Sequence, residues 1–415
     1  MGWTLPETRV LWLVTACTAL SLFGDASLYA VLPSQFNRFG LVALQVGWLL
    51  SVNRLVRLPL NLPSGWLTRR VGAKWPLVIG LSLGSLSTFV FALFGSFWAF
   101  LGARALWGVA WALIIVASYA FVFETSSTEK RGRSTGIFVS FTRFGGASGG
   151  MLGGLLLDAL GRRPSMAVLG ACGAIGAALA LLLPNTRAAD VLPEPITLNQ
   201  LSVVPGQWLR SLRKLEPTLW IVLLYNSVHL LVYAGIVYST FGLYLRSVLG
   251  EAVRFGGSVI GVASITGALL FVRNMFALVS SPAIGALSDR SGRRTRALIL
   301  VESSGVLSLV LLAFGRGPVL LAFGIGIACI AYGVAPALLL AWLGDHSIGR
   351  SGAAIGGFQT AGDLGSGLGP LLAYPLIAWI GIHATYAVAA VLIAVAAFLV
   401  FHVDRATAKR DTATY

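Results

Sequence analysis

The chain has 415 residues, of which 57% are hydrophobic and 11% are charged. Soluble domains carry roughly 25% charged residues to cover their surface, so this composition excludes a water-soluble globule of this size and indicates a chain that faces lipid. The net charge of +15 comes from 30 Lys and Arg against 15 Asp and Glu. Because most of the basic residues lie between apolar runs, they indicate membrane topology rather than nucleic-acid binding.

The first apolar run begins at Val10 and continues past signal-peptide length without a clear cleavage site, so we interpret it as a membrane span. Apolar runs of about 20 residues cross a bilayer as helices, whereas barrel strands would be shorter and alternating. Such runs predict six spans near 10–32, 43–66, 75–96, 98–122, 134–157 and 165–184, and six more near 218–245, 256–287, 295–314, 318–343, 351–378 and 382–403.

One long polar, proline-containing stretch separates the two sets of spans. The predicted organisation is an N-terminal six-helix bundle (1–184), a cytoplasmic linker (185–217), and a C-terminal six-helix bundle with a short cytoplasmic tail (218–415). With the N-terminus placed inside, the inner segments hold about three times as many Lys and Arg residues as the outer loops. We therefore expect a multi-pass protein of the inner or plasma membrane with both termini in the cytoplasm.

The two halves are related by an internal repeat. The segment from Gly65 to Lys74 (Gly-Trp-Leu-Thr-Arg-Arg-Val-Gly-Ala-Lys) recurs about 220 residues later as Gly-Ala-Leu-Ser-Asp-Arg-Ser-Gly-Arg-Arg, from Gly285 to Arg294. Two parallel repeats of six spans, with a binding site at their interface, are a known transporter plan.

These segments resemble the signature loop of the major facilitator superfamily, Gly-x-Leu-x-Asp-Arg-x-Gly-Arg-Arg. The second copy matches closely, whereas the first has Thr68 in place of the usual Asp. Arg104 and Gly108 are similar to the arginine-containing motif of span four. The glycine run 145–154 in span five is similar to the glycine motif of the twelve-helix proton-linked exporters, with Gly150 replacing its proline. The resemblance covers nearly the whole chain but specifies no substrate.

The resemblance implies a conformational latch at the inner surface. We expect the glycines at the two loop starts to allow close helix approach and those near the loop ends to terminate a helix. The basic residues would pair with acids in one transporter state and release them in the other. The predicted latch residues are Gly65, Arg69, Arg70, Gly72, Glu124, Gly285, Asp289, Arg290, Gly292, Arg293 and Asp345.

Ionisable residues inside spans are costly and usually mark a pathway or a partner. Here they comprise Arg54, Arg57, Arg104, Arg143, Arg273, Asp25, Glu302 and Asp363. Arg54 and Arg57 lie on one helix face, and Asp25 is at a depth that would allow it to pair with Arg54. Arg273 and Asp363 are predicted to form a buried ion pair.

The resemblance also implies that spans one, four, seven and ten line a central cavity. Together with span two, they predict a substrate and proton pathway made of Asp25, Arg54, Arg57, Arg104, Trp107, Trp111, Asn226, His229, Tyr233 and Tyr332. Alternatives stay open: Arg104 would also be accommodated by extending to the interface, and His229 either carries a proton or is structural. Desolvation would favour a protonated Asp25.

The sequence is consistent with two functions. The first is proton-coupled efflux of a small organic solute by alternating access, and the second is a carrier for an anionic solute bound by Arg54, Arg57 and Arg104. A membrane-embedded enzyme has less support because the four histidines show no metal-ligand spacing, and a channel has less support because it would not need two bundle-like halves with matched inner latches. The absence of a Gly-Lys-Ser/Thr phosphate loop in the sequence argues against an ATP-driven pump. We expect no cofactor, no metal and no nucleic acid, and a monomer whose partners are the solute, protons and the lipid bilayer.

Overall fold

A computed structural model describes residues 7–127, 129–185, 217–255, 257–291, 294–315, 318–346 and 351–413. These residues are almost entirely helical. The helices are α1 (Glu7–Gln35), α2 (Ala43–Val71), α3 (Lys74–Leu93), α4 (Phe97–Glu124), α5 (Arg131–Leu160), α6 (Arg162–Ala180), α7 (Pro217–Leu230), α8 (Tyr238–Leu249), α9 (Val262–Ser291), α10 (Arg294–Phe314), α11 (Pro318–His346), α12 (Ser351–Ile380) and α13 (Ile382–Ala413). A 3₁₀ turn (Phe36–Phe39), a π-helical segment (Leu231–Val237) and two strands, β1 (Ala252–Phe255) and β2 (Ser258–Gly261), complete them.

Helices α7 and α8 and the π segment between them form one continuous span, so the described residues contain twelve long helical segments. Nine of these segments are long and apolar enough to cross a membrane by length and composition. Of the other three, α2 carries Arg54 and Arg57, α5 carries the glycine run and α12 carries Asp363. Polar and small residues on one face lower the average hydropathy of a helix that is still long enough to span.

The chain divides into two compact units by its contacts. Unit 1 comprises Met1–Ile196 and Thr240–Val272, and unit 2 comprises Thr197–Ser239 and Arg273–Tyr415. The predicted domain boundaries follow the sequence repeat instead and place 240–272 in the second half. The predicted linker, 185–217, lies almost wholly outside the described residues.

The internal repeat is visible in how helices pack within each unit. In unit 1, α1 packs on α5, α3 on α4, and α3 on α6. In unit 2 the corresponding pairs are α7 with α12, α10 with α11, and α10 with α13. Even single hydrogen bonds repeat: Ser87 Oγ donates to the carbonyl of Ala103 (2.7 Å), and Ser308 Oγ donates to that of Gly324 (2.9 Å), about 220 residues later in both helices.

The glycine run of α5 presents two faces. A Cβ at Gly149 would lie 2.5 Å from Phe23 Cα of α1, and Gly145 and Gly153 meet the same helix. On the other face, a Cβ at Gly267 of α9 would lie 2.5 Å from the carbonyl oxygen of Gly150. Apolar surface alone gives little drive for helices to associate in lipid, so small residues that allow backbones to meet closely hold such contacts together.

The predicted start of span eight at residue 256 is wrong. Strands β1 and β2 pair antiparallel, with Val253 opposite Ile260, and the helix begins at Val262. Short β-branched and aromatic runs on both sides of a glycine pair favour a hairpin over a helix start. Gly257 has a φ of +85°, which glycine adopts without strain.

The two glycines of the first signature copy differ in their role. Gly72 ends α2 with φ +85° and ψ 167°, a backbone region that is almost exclusive to glycine. The close helix approach expected at Gly65 is wrong for the described residues, because a Cβ there would meet no atom within 4 Å.

Replacing Gly72 with alanine should therefore lower the free energy of unfolding by about 2 kcal/mol, since the backbone conformation would be strained. Gly65→Ala is the matched control and should be neutral or stabilising, because alanine favours a helix interior. Unfolding in mixed detergent micelles measures both. Equal losses in the two variants would contradict the role given to Gly72.

Candidate functional site

A cavity of about 190 Å³ lies within unit 1 among α1, α2 and α4. Its lining residues recur at helical spacing, so each helix presents one face to the cavity. The lining consists of Leu22, Asp25, Tyr29, Asn53, Arg54, Arg57, Trp107 and Trp111. Five of these side chains were predicted as pathway residues from the sequence, and the structure brings them together.

Asp25 and Arg104 form a buried ion pair beside this cavity. Arg104 Nη1 lies 2.5 Å from Asp25 Oδ1, and the two side chains are 1% and 14% exposed respectively. Arg104 Nε also donates to the carbonyl oxygen of Leu49 at 2.9 Å. The guanidinium is thus held inside the helix bundle and does not extend to the interface.

Tyr29 connects the arginines of the site. Its ring lies beneath both Arg54 and Arg104, with guanidinium carbons 5.6 and 5.7 Å from the ring centroid. Its hydroxyl accepts a hydrogen bond from Arg54 Nε (3.3 Å) and donates to the carbonyl of Leu50 (3.4 Å). Cations over aromatic faces are attracted by the ring quadrupole, more strongly where water is scarce.

Trp107 and Trp111 supply the apolar wall. Their rings are stacked, with centroids 6.0 Å apart and planes inclined by 25°. Trp107 is 2% exposed and lies against Gly84. A Cβ at Gly84 would lie 2.6 Å from the Trp107 ring, so a larger residue there would clash with the ring. The wall is therefore a rigid aromatic surface facing polar groups on α1 and α2.

The lining carries an excess of positive charge. Arg54 and Arg57 face a cavity whose single lining carboxylate, Asp25, already pairs with Arg104. Fixed charges in a space of low dielectric act strongly on a solute of opposite charge.

The predicted residues of unit 2 form separate contacts. Asn226 Nδ2 donates to the carbonyl of Phe358 at 2.8 Å. The guanidinium of Arg273 lies over the rings of Tyr332 and Tyr238, at 3.6 and 4.6 Å from their centroids. Asp363 is buried in α12, and its ion pair with Arg273 stays a prediction. His229 and Tyr233 are fully buried next to Glu302, a predicted buried acid that was not among the predicted pathway residues.

The predicted latch is described only in part. Arg69 and Arg70 lie in the last turn of α2, with Arg70 over the ring of Trp66 at 5.2 Å, and Glu124 ends α4. Of the second copy, Gly292 and Arg293 lie outside the described residues, as do the side chains of Asp289, Arg290 and Asp345. Gly285 belongs to α9. Pairing between the basic cluster and the acids stays a prediction.

Within the described ranges, no group of three His, Cys, Asp or Glu side chains is arranged to hold a metal ion.

Comparison with known proteins agrees with the signature segments. A sequence profile of the Major Facilitator Superfamily matches residues 14–276 and 263–414. The chain is 30% identical over 213 residues to the probable vesicular acetylcholine transporter-B of Danio rerio, which covers 48% of this chain and 43% of the relative. It is 27% identical over 301 residues to the multidrug resistance protein MdtG of Yersinia enterocolitica, covering 71% and 68%.

The first curated relatives are thus matched over less than half of their length. The crystal structure of the nucleoside transporter NupG has a TM-score of 0.76 at 14% identity, covering 95% of this chain and 98% of that one. That likeness shows the fold.

The predicted all-α, multi-pass membrane fold is confirmed, and the matching family is one of membrane transporters rather than enzymes. The chain belongs to the Major Facilitator Superfamily.

Proposed function

We propose that this transporter expels a small organic solute by alternating access, coupled to the inward movement of protons. The observation that carries the proposal is the unit 1 cavity, in which an aromatic wall faces ionisable groups. Relatives named as a multidrug resistance protein and a vesicular acetylcholine transporter agree with a small organic solute. The basic inner segments support cytoplasmic termini, and we propose a monomer.

Alternating access requires that one contact within unit 1, between Asp158 and Ser264, opens and closes during transport. Asp158 of α5 accepts hydrogen bonds from the backbone N–H (2.8 Å) and Oγ (2.6 Å) of Ser264 in α9. By the sequence repeat, these residues belong to opposite halves, 1–184 and 218–415. If the halves are the moving bodies, this contact must open during each transport cycle.

A disulfide between Asp158→Cys and Ser264→Cys tests this demand in a background where Cys17, Cys172 and Cys329 are serine. Oxidation should abolish transport and reduction should restore it. Ser87→Cys with Ala103→Cys is the control, since this pair joins α3 to α4 within one half. Full transport by the oxidised 158–264 variant would refute movement between the halves.

An anionic solute is the second candidate, favoured by the excess of arginine at the cavity. A ligand-dependent thermal-shift screen of lipophilic cations, sugars and organic anions separates the candidates. Stabilisation by anions alone, lost in Arg57→Gln, would establish the second candidate. Stabilisation by lipophilic cations would support export of the kind that the relatives' names describe.

A further inference from the structure

Unit 2 buries a group of polar side chains that the unit 1 cavity does not explain. Tyr225, His229, Tyr233 and Glu302 are at most 2% exposed. His229 Nε2 and the Tyr233 hydroxyl have no hydrogen-bond partner among the described residues. Leaving buried polar atoms unpaired costs about 1–3 kcal/mol each, so a group of this size calls for a role beyond packing.

The histidine and the carboxylate are in direct contact. His229 Nδ1 lies 2.7 Å from Glu302 Oε1, without the alignment of a full hydrogen bond. The His229 ring is 4.8 Å from that of Tyr233 and 6.5 Å from that of Tyr225. Gly305, one turn after Glu302, leaves room for the Tyr233 hydroxyl, where a side chain would clash.

The charge of this pair depends on one proton. With the proton on either partner, the pair is an ion pair or a neutral imidazole beside a carboxylic acid, and its net charge is zero. Without the proton the net charge is −1, which a dry site disfavours strongly. Burial therefore retains the proton, and contact with water of low proton concentration allows its release.

Other ionisable groups on the surrounding helices have interactions of their own. They are Asp363 on α12, Tyr332 on α11, and His383 and Tyr386 on α13. Arg273 on α9 lies over tyrosine rings. The ion-pair partner of Glu302 in the described residues is His229. Tyr225 and Tyr233 lie in the field of Glu302 and would donate to its charged form.

His229 has a setting similar to that of Asp25 in unit 1. Gly149 of α5 meets Phe23 of α1, and Gly365 of α12 meets Ser227 of α7. Asp25 and His229 each lie two residues beyond the residue that meets the glycine. The first helix of each half thus carries a buried ionisable group paired with another helix: Asp25 with Arg104, and His229 with Glu302.

The two pairs differ in kind. An arginine stays protonated throughout the physiological range, whereas histidine changes charge between about pH 5 and pH 8. We propose that His229 and Glu302 together form a proton-binding site that takes up one proton from water and releases it when the site opens to less acidic water. That this site drives the transport cycle rests on the proposed function.

Histidine NMR tests the site without a substrate. The full chain with ¹⁵N-labelled histidine is placed in lipid nanodiscs and titrated between about pH 5 and pH 8, and His229→Gln identifies the resonance. We expect the His229 resonance to titrate, and Glu302→Gln to weaken proton binding at least about tenfold by removing the paired charge. His383→Gln is the control and should leave the His229 midpoint unchanged. A resonance fixed across the range and insensitive to Glu302→Gln would overturn the proposal.

Potentiometric titration supplies a second readout. Over the same range, the wild-type chain should bind about one more proton than a variant carrying both His229→Gln and Glu302→Gln. Equal binding would also refute the proton site. Failure to find any transported compound would count against the proposed function and leave both results standing.

Discussion

Replacing Arg104 with methionine should lower the free energy of unfolding by about 3 kcal/mol, because it removes the partner of a buried charge. Arg104 is 1% exposed, donates to the carboxylate of Asp25 and holds the backbone of α2 through Leu49. Methionine fills much of the same volume, so the loss would come from the unpaired carboxylate and carbonyl. Reversible unfolding in mixed micelles measures the change.

Two further variants distinguish this cause from a general loss of packing. Asp25→Asn combined with Arg104→Met removes both charges and should recover much of the stability. Arg54→Met is the matched control on the same cavity: its guanidinium is only partly buried, so its loss should cost about 1 kcal/mol or less. If Arg104→Met and Arg54→Met were equally stable, the ion pair would have no special structural role.

Valine at Gly149 should cost about 3 kcal/mol or more, because a side chain there meets backbone rather than a flexible side chain. The Cβ would lie 2.5 Å from Phe23 Cα and 3.0 Å from the carbonyl oxygen of Leu22. Relief would require α1 and α5 to move apart, with loss of the contacts that hold both helices together in lipid. The yield of folded protein and the unfolding free energy both measure the effect.

The same helix offers the control. A Cβ at Gly136 of α5 would meet no atom within 4 Å, so Gly136→Val changes helix propensity equally without a clash. The difference between the two variants isolates helix approach. If Gly149→Val folded as well as Gly136→Val, the close contact between α1 and α5 would be ruled out.

Much of the cavity was predictable because charge stands out in an apolar span. Asp25, Arg54 and Arg57 were predicted from charge alone, while Trp107 and Trp111 followed from the family resemblance. Tyr29 and Asn53 were missed, since neutral polar residues are common in membrane helices and give no comparable signal. Their proximity to the arginines depends on how α1 and α2 pack.

Pairings were harder to predict than positions. Asp25 was expected to pair with Arg54, but the structure shows its ion pair with Arg104 on α4. Glu302 was recognised as a buried acid, yet its contact with His229 depends on the register between α7 and α10. Registers between helices result from packing of the whole bundle, and local sequence carries little of that information.

Two local features also escaped prediction for different reasons. The β1–β2 hairpin had a usable signal, a glycine pair flanked by β-branched and aromatic residues, but its second strand leads directly into the apolar run of span eight. The π segment has none, since Leu-Val-Tyr-Ala-Gly-Ile-Val is equally typical of an α-helix.

The π-helical segment, Leu231–Val237, determines how span seven can be altered by mutation. A π turn holds one residue more than an α turn, so side chains beyond Tyr238 emerge at a different angle than from an unbroken α-helix. The angular phase of α8, where Gly242 lies against Ser34, is thereby offset from that of α7, where His229 meets Glu302. A single-residue deletion between 231 and 237 that restored regular α-turns would remove the additional residue, so both contacts should survive. Regular α-turns with all seven residues kept would instead rotate one end by about 100° relative to the other and break one of the two contacts.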